Sequence, residues 1–321
     1  MIEVSRLESA DLDDALSLWN RNCSPYCPMD RQIFTDKFLS RGCHTLKALD
    51  NGRLAGFASG FVKYEFLRGE NDSNTPLYLT MVMADRECRR RGVGSVLVEE
   101  LVDLAGRLGK DSVLASYRNP KNLSWLEAGR YEHNNCPGVA VDGAGYIMLQ
   151  SLGFRAGRVE CGLYYPLEEY SLPEKILSTE ERLAADGIRI AFFDSARHHG
   201  FDELFDALHG EVWRKTISDN LALSRPLPVL VALDGDRVVG FAGPIDREKS
   251  GRGYFNGIAV HPDYQRRGIA RVLFSRLLEA FHDIGASYST IFTDEENPAL
   301  RLYLDIGFAI GGRFALMEMK V

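Results

Sequence analysis

Apolar positions along the chain change period repeatedly, and they do so twice in the same order. "IEVSR" at Ile2–Arg6 and "IRIAF" at Ile188–Phe192 alternate as half-buried strands do. Each leads into apolar residues at helical spacing: Leu12, Leu16 and Trp19 in one case, Phe201, Leu204, Phe205 and Leu208 in the other. Next come "LDNGRLAGFASG" (Leu49–Gly60) and "LDGDRVVGFAGP" (Leu233–Pro244), each predicting strand, Gly/Asp turn and strand, a hairpin. An apolar run then meets basic residues and glycine and passes at once into an amphipathic segment. These stretches are "VMADRECRRRGVGSVLV" (Val82–Val98) and "IAVHPDYQRRGIARVLF" (Ile258–Phe274). The pattern predicts helices over Ser95–Leu108 and Ala270–Ile284, with Val96, Leu97, Leu101 and Leu104 facing the core of the first. It predicts strands over Ser112–Tyr117, Tyr254–Val260 and Ser287–Thr293, and a closing Gly-Phe element, "LQSLGF" or "YLDIGF".

One domain is therefore written twice. The offset between copies is 184 residues at Leu49/Leu233, 176 at Val82/Ile258 and 154 at Leu149/Tyr303. The first copy thus carries insertions of 8 and 22 residues, near "KYEFLRGENDSNTP" and "KNLSWLEAGRYEHNNCPGVAVD". The expected division is 1–165, a Glu-rich, partly helical connector at 166–186, and 187–321. Strand and helix signals interleave in both copies, so the fold class expected is α/β (α+β).

Composition narrows the function classes. The chain has 321 residues, 45% hydrophobic and 26% charged, ordinary for a soluble globular protein. Apolar runs fall far short of a membrane span, and the acidic N-terminus does not resemble a secretory signal. A net charge of −7 speaks against a nucleic-acid partner. Six cysteines with no secretory context fit a reducing, cytoplasmic setting. Cys23, Cys27, Cys43 and His44 match none of the usual zinc spacings, so no metal is expected.

The basic-glycine turn carries the chemistry. Where a strand opens into a helix, free N–H groups and the helix dipole favour an anion, and glycine lets a phosphate approach the backbone. A Walker loop requires Gly-Lys-Ser/Thr, which neither copy has. A dinucleotide fingerprint requires a third glycine, and that position is Leu97. What both copies fit is Gln/Arg-x-x-Gly-x-Gly/Ala: Gln265, Gly268 and Ala270, or Arg89, Gly92 and Gly94.

On those residues, "VHPDYQRRGIARVL" resembles motif A of the GNAT (GCN5-related N-acetyltransferase) superfamily. "NPALRLYLDIGF" (Asn297–Phe308) resembles the motif that follows it. The resemblance extends over essentially the whole chain as a tandem pair. It implies two domains, each a mixed, mostly antiparallel sheet flanked by helices, with the fourth and fifth strands splayed to admit the pantetheine of acetyl-CoA. It implies that Ile258, Ala259 and Val260 line that arm. By the same resemblance Gln265, Arg266, Arg267, Gly268, Ile269, Ala270 and Arg271 hold the pyrophosphate, and Asn297 also contacts the cofactor. Tyr303 stands where relatives place the acid that protonates the leaving thiolate, and it also borders the cofactor. Many relatives carry a glutamate base where this chain has Asn256, which cannot take a proton. A water held by Asn256, a carboxylate from Asp294–Glu296, or an amine arriving deprotonated remain alternatives.

The first copy offers a second candidate cofactor site at Val82, Ala84, Arg89, Arg90, Arg91, Gly92, Val93 and Gly94. Leu149 replaces the tyrosine there and Thr80 stands opposite Asn256, so this half is expected to be catalytically weak. Its longer insertion, with Trp125, Tyr131 and His133, either shapes an acceptor site or packs on its own domain. The expected activity is acetyl-CoA-dependent acetylation of a small-molecule or peptide amine. The alternatives are an acyl-CoA-sensing module and an acyltransferase with a specialised, for instance thiol-pathway, substrate.

Overall fold

The computed structural model describes residues 2–23 and 28–321, so Cys27 lies outside the described residues. The chain forms two compact units. The first contains Met1–Leu163, Ile291–Leu300 and Ile310–Val321; the second contains Tyr164–Thr290 and Arg301–Ala309.

In chain order the first repeat contains β1 (Ile2–Arg6), α1 (Leu12–Asn22), α2 (Arg31–Phe34), β2 (Cys43–Asp50), β3 (Arg53–Phe61) and β4 (Leu77–Ala84). It continues with α3 (Val93–Arg107), β5 (Ser112–Ala115), β6 (Trp125–Glu127), β7 (Tyr131–His133), β8 (Val139–Ala140), α4 (Ala144–Ser151) and β9 (Arg155–Pro166). The connector supplies α5 (Glu174–Ala185). The second repeat contains β10 (Ile188–Phe192), α6 (Phe201–Leu208), α7 (Glu211–Leu221), β11 (Leu230–Asp234), β12 (Arg237–Gly243), β13 (Asp246–Arg247) and β14 (Arg252–Tyr254). It ends with β15 (Gly257–Val260), α8 (Ile269–Asp283), β16 (Tyr288–Asp294), α9 (Ala299–Ile306) and β17 (Ala309–Lys320).

The repeat is visible down to single residues. The β2–β3 hairpin has a register shift at Ala48/Leu49, and β11–β12 has one at Ala232/Leu233, the same place in the repeat. In the first unit β1 to β5 are neighbours in order, antiparallel except that β4 and β5 run parallel. Helix α3 covers this sheet with Val93, Leu97, Val98, Leu101 and Ala105 buried. Val96 and Leu104 are only half-buried. The buried stripe follows the i, i+4 row from Val93, which places those two residues on its margin.

Two features depart from a linear reading of the repeat. The predicted strand Tyr254–Val260 is interrupted: β14 ends at Tyr254 and β15 begins at Gly257. Strand β17, the last of the chain, pairs antiparallel with β5 of the first unit, Met317 opposite Ala115. Its inward residues Ala315 and Met317 are fully buried in the first unit's core. In the second unit β10, β11, β12 and β15 form one antiparallel sheet, while β14 pairs with β13 and runs parallel to β16. Phe205, Ile217, Val231, Leu233 and Phe241 form a core on one face of the antiparallel sheet. Helix α8 buries Val272, Leu273, Phe274, Leu277, Leu278 and Phe281.

Candidate active site

The break between β14 and β15 opens the second unit's sheet. Strand β14 meets β16 at Arg252↔Tyr288 and Gly253↔Ser289. Strand β15 pairs with β12 alone, from Gly240↔Val260 to Gly243↔Gly257. Along Ile258–Val260 one backbone edge thus has no strand partner among the described residues. Asn256 lies in the break, exposed, its amide N–H donating to the Gly243 carbonyl and its side-chain Nδ2 to the Tyr254 hydroxyl at 3.2 Å. The first unit has the same opening: β4 pairs with β5 only at Leu77↔Val113 and Tyr78↔Leu114. Thr80 is the extra residue where the β3–β4 register shifts, and its Oγ1 accepts a hydrogen bond from Asn119 at 2.8 Å. Val82 and Ala84 continue that free edge, half-buried.

After each strand the chain makes one 3-10 turn, Arg86–Cys88 or Pro262–Tyr264, and then the loop. Arg90 and Arg266 have φ of 59° and 62°, and Gly92 and Gly268 have 83° and 95°. Left-handed residues set between extended and helical ones turn successive N–H groups toward one concavity, the nest geometry that binds anions. Gly92 and Gly268 are the N-caps of α3 and α8, so the helix dipole points into the same concavity. Val93 and Ile269, the first helical residues, are buried and anchor the turn to the core.

The side chains around the loops act mainly as braces. Gln265 Nε2 donates to the Val260 carbonyl at 3.1 Å, fastening the loop to its strand. Arg267 lies over the Tyr264 ring, 5.2 Å from its centroid. Arg271 is paired with Asp305 at 2.9 Å, and Arg91 with Asp50 at 2.8 Å. Arg89, Arg90 and Arg266 are exposed. The two loops differ in their surroundings. A Cβ added at Gly268 would lie 2.9 Å from Cγ2 of Thr179, and Arg182 of α5 donates to the Arg267 carbonyl at 3.1 Å. A Cβ at Gly92 would meet nothing within 4 Å. At Gly94 it would lie 2.7 Å from the Met148 sulfur, whereas the second loop carries Ala270 there.

Tyr303 is 7% exposed, with Phe274 and Phe308 against its ring. Burial pushes its phenol up to about 12. Its counterpart Leu149 is buried in the first unit's core. The side chain of Asn297 accepts from the Ala299 N–H at 2.9 Å and so caps the start of α9. Asn297 groups with the first unit and Tyr303 with the second. Asp294 is paired with Arg158 at 2.8 Å and Glu295 with Arg313, while Glu296 is exposed. The first two candidate carboxylates are thus engaged within the first unit.

The longer insertion forms the β6–β7 hairpin and packs on its own unit. Trp125 is buried edge-on against Phe314, ring centroids 4.4 Å apart. Glu127 is 1% exposed, and its carboxyl covers Gly162 and Gly311, where any side chain would overlap it. Burial raises this carboxyl to about 7. Glu160 is raised to about 7 as well, by burial and then by the charge of Asp294. Sequence reasoning missed both glutamates, because nothing local marks them as buried. It also missed Trp213, whose indole packs over Gly257 so closely that a Cβ there would overlap it. Among the described residues no group of three His, Cys, Asp or Glu side chains is placed to hold a metal ion, and no helix is long and apolar enough to cross a membrane.

The acetyltransferase (GNAT) family model matches residues 9–128 and again 192–308. A mycothiol acetyltransferase of Thermobifida fusca is 37% identical over 97 residues, 26% of this chain and 29% of that protein. An L-amino acid N-acyltransferase of Escherichia coli is 33% identical over 97 residues, 29% of this chain and 56% of that protein. The chain thus covers less than two thirds of either relative. Among solved structures, a glucosamine N-acetyltransferase region of a fungal multi-domain β-N-acetylglucosaminidase superposes with a TM-score of 0.74 at 16% identity, covering 99% of this chain and 38% of that one. A tandem GNAT protein from the clavulanic acid biosynthesis pathway gives 0.62 at 13% identity, covering 100% and 98%. With two successive matches and the GNAT fold in both regions, the chain belongs to the acetyltransferase (GNAT) family as a tandem member.

Proposed function

We propose that this protein is an acetyl-CoA-dependent N-acetyltransferase, with chemistry in the second unit and a small-molecule or peptide amine as acceptor. The observation that carries the reading is the free edge of β15 leading directly into the Arg266–Gly268 nest and the N-terminus of α8. The free edge offers backbone groups to the amide-bearing pantetheine arm, and the nest offers N–H groups to the pyrophosphate. A main-chain N–H along Ile258–Val260 polarises the thioester carbonyl. The neutral amine attacks that carbonyl, the tetrahedral intermediate collapses, and the thiolate leaves with a proton from Tyr303, while the proton shed by the acylated nitrogen passes by way of water to solvent, which reprotonates the Tyr303 phenolate. A phenol raised to about 12 stays protonated at neutral pH, as a donor must.

Asn256 orients a water or the amine itself, since an amide cannot act as the base. The first unit has the nest and the free edge but Leu149 in place of the tyrosine, which supports cofactor binding there without efficient turnover. Release of free thiol from acetyl-CoA, measured against a panel of primary amines, amino acids, amino sugars and a thiol acceptor, tests the reading. An acceptor-dependent signal supports it, and its absence with every acceptor, despite cofactor binding, would favour a sensing role.

A further inference from the structure

Strands β9 and β16 lie side by side. The Glu295 N–H donates to the Val159 carbonyl and the Leu167 N–H to the Ser287 carbonyl, each at 2.9 Å, so the two strands run antiparallel. That register sets Glu160 opposite Asp294 and Gly162 opposite Phe292, all four on one face. Like charges placed directly across two strands repel. Asp294 has an answer to this, since Arg158 pairs with it at 2.8 Å. Glu160 has none: its carboxyl is 3% exposed and, among the described residues, makes no hydrogen bond or ion pair. Burial and the charge of Asp294 raise it to about 7, against the weaker opposing charges of Arg158 and Arg118.

A second carboxyl reaches the same face. A Cβ at Gly162 would overlap Oε2 of Glu127, so that oxygen lies on the side to which Glu160 and Phe292 point. Glu127 Oε2 is buried and accepts no hydrogen bond. Aromatic rings stand beside the carboxyls. Phe292 has Tyr117 and His133 against it, ring centroids 5.1 and 5.3 Å away. Tyr117 and Phe292 are half-buried and Arg118 is exposed, so the face meets solvent on the side of the rings.

Buried carboxyls without a counter-charge, next to aromatic faces, are complementary to an organic cation that carries N–H donors. An anion would meet the carboxylates, and an uncharged apolar ligand would leave them unpartnered. A metal ion lacks a donor set, since no three His, Cys, Asp or Glu side chains converge among the described residues. We propose that this face of the first unit binds a primary ammonium ion bearing an aryl or alkyl group, with Glu160 accepting from the ammonium and Phe292 and Tyr117 covering the apolar part. The inference goes beyond the proposed transfer reaction, because the site is complete within the first unit and needs no acyl donor.

The test is calorimetry on the full chain at pH 8 without acyl donor, using 2-phenylethylamine and its uncharged analogue 2-phenylethanol. At that pH the amine is still a cation and Glu160 is largely ionised. One amine is expected per chain, bound roughly 10- to 100-fold more tightly than the alcohol, the range of a charge-assisted contact. Glu160→Gln keeps the shape of the protonated carboxyl and should erase that preference without lowering the unfolding temperature. Tyr117→Leu should weaken amine binding by roughly 3- to 10-fold, as loss of a ring beside a cation does. Equal binding of amine and alcohol, no binding of the amine, or an amine affinity that survives either substitution overturns the inference. Thiol release from acetyl-CoA is read separately. Turnover without Glu160-dependent amine binding would leave the proposed function standing and remove this site; Glu160-dependent binding without turnover would do the reverse.

Discussion

Gly268 and Thr179 are in near contact: a Cβ at position 268 would lie 2.9 Å from the threonine methyl. The corresponding position in the first repeat, Gly92, has open space around it. Both glycines have positive φ, 95° and 83°, so alanine is strained at either. Gly92→Ala is expected to cost about 1–2 kcal/mol from backbone strain alone, and Gly268→Ala about 1 kcal/mol more from the contact. Adding Thr179→Ser should recover the extra loss at position 268 and do nothing for Gly92→Ala. Unfolding free energies of the single and double variants measure this, and additive values would exclude the contact as the cause.

Tyr303→Phe isolates the proton-transfer role. The ring contacts with Phe274 and Phe308 survive the change, so the core is retained. Loss of a positioned acid is expected to lower kcat by about 10²–10⁴, with KM for the acyl donor little altered. Turnover equal to wild type would remove Tyr303 from the mechanism.

Much of this was legible in the sequence because it is local. The turn glycines follow from residue order, since Gly92 and Gly268 stand where φ is positive at the start of α3 and α8, whereas nothing local marks Arg90 and Arg266 as left-handed. The hairpins and the first strands were equally readable, with β1 and β10 falling on the predicted residues. What was not legible depends on distant partners. No local signal says that β17 pairs with β5, because Met317 reads only as an apolar residue on an alternating strand. Nor does Glu127 announce its burial, which comes from two glycines at 162 and 311. The break at Phe255–Asn256 was hidden as well, because its only local mark is the turn-prone pair Asn256-Gly257 inside a run of strand-forming residues.

The pairing of β17 with β5 makes a distinct prediction. Met317 is fully buried among first-unit residues. Met317→Ala should cost about 2–5 kcal/mol, the usual penalty for emptying such a site. Hydrogen exchange should show the loss first at Val113 and Ala115 of β5, with the β10–β12 amides of the second unit keeping their protection. Loss of protection confined to β10–β12 would contradict the pairing.

Glu127 links stability to pH. Its carboxyl titrates at about 7 in the folded chain because burial disfavours the charged form, against 4.5 for an unperturbed glutamate. Folding therefore favours the protonated carboxyl. The stability this contributes is complete below about 4.5 and is lost as pH rises toward 7, because the unfolded chain releases the proton earlier. The shift corresponds to an upper limit on the order of 3 kcal/mol between those limits. Glu160 adds a slope of the same sign. Glu127→Gln imitates the neutral carboxyl at every pH, so its stability relative to wild type should rise from about pH 5 to about pH 8. Chemical denaturation at the two pH values measures the difference. A Gln variant whose relative stability is the same at both would mean that Glu127 is already ionised at the lower pH in the folded protein.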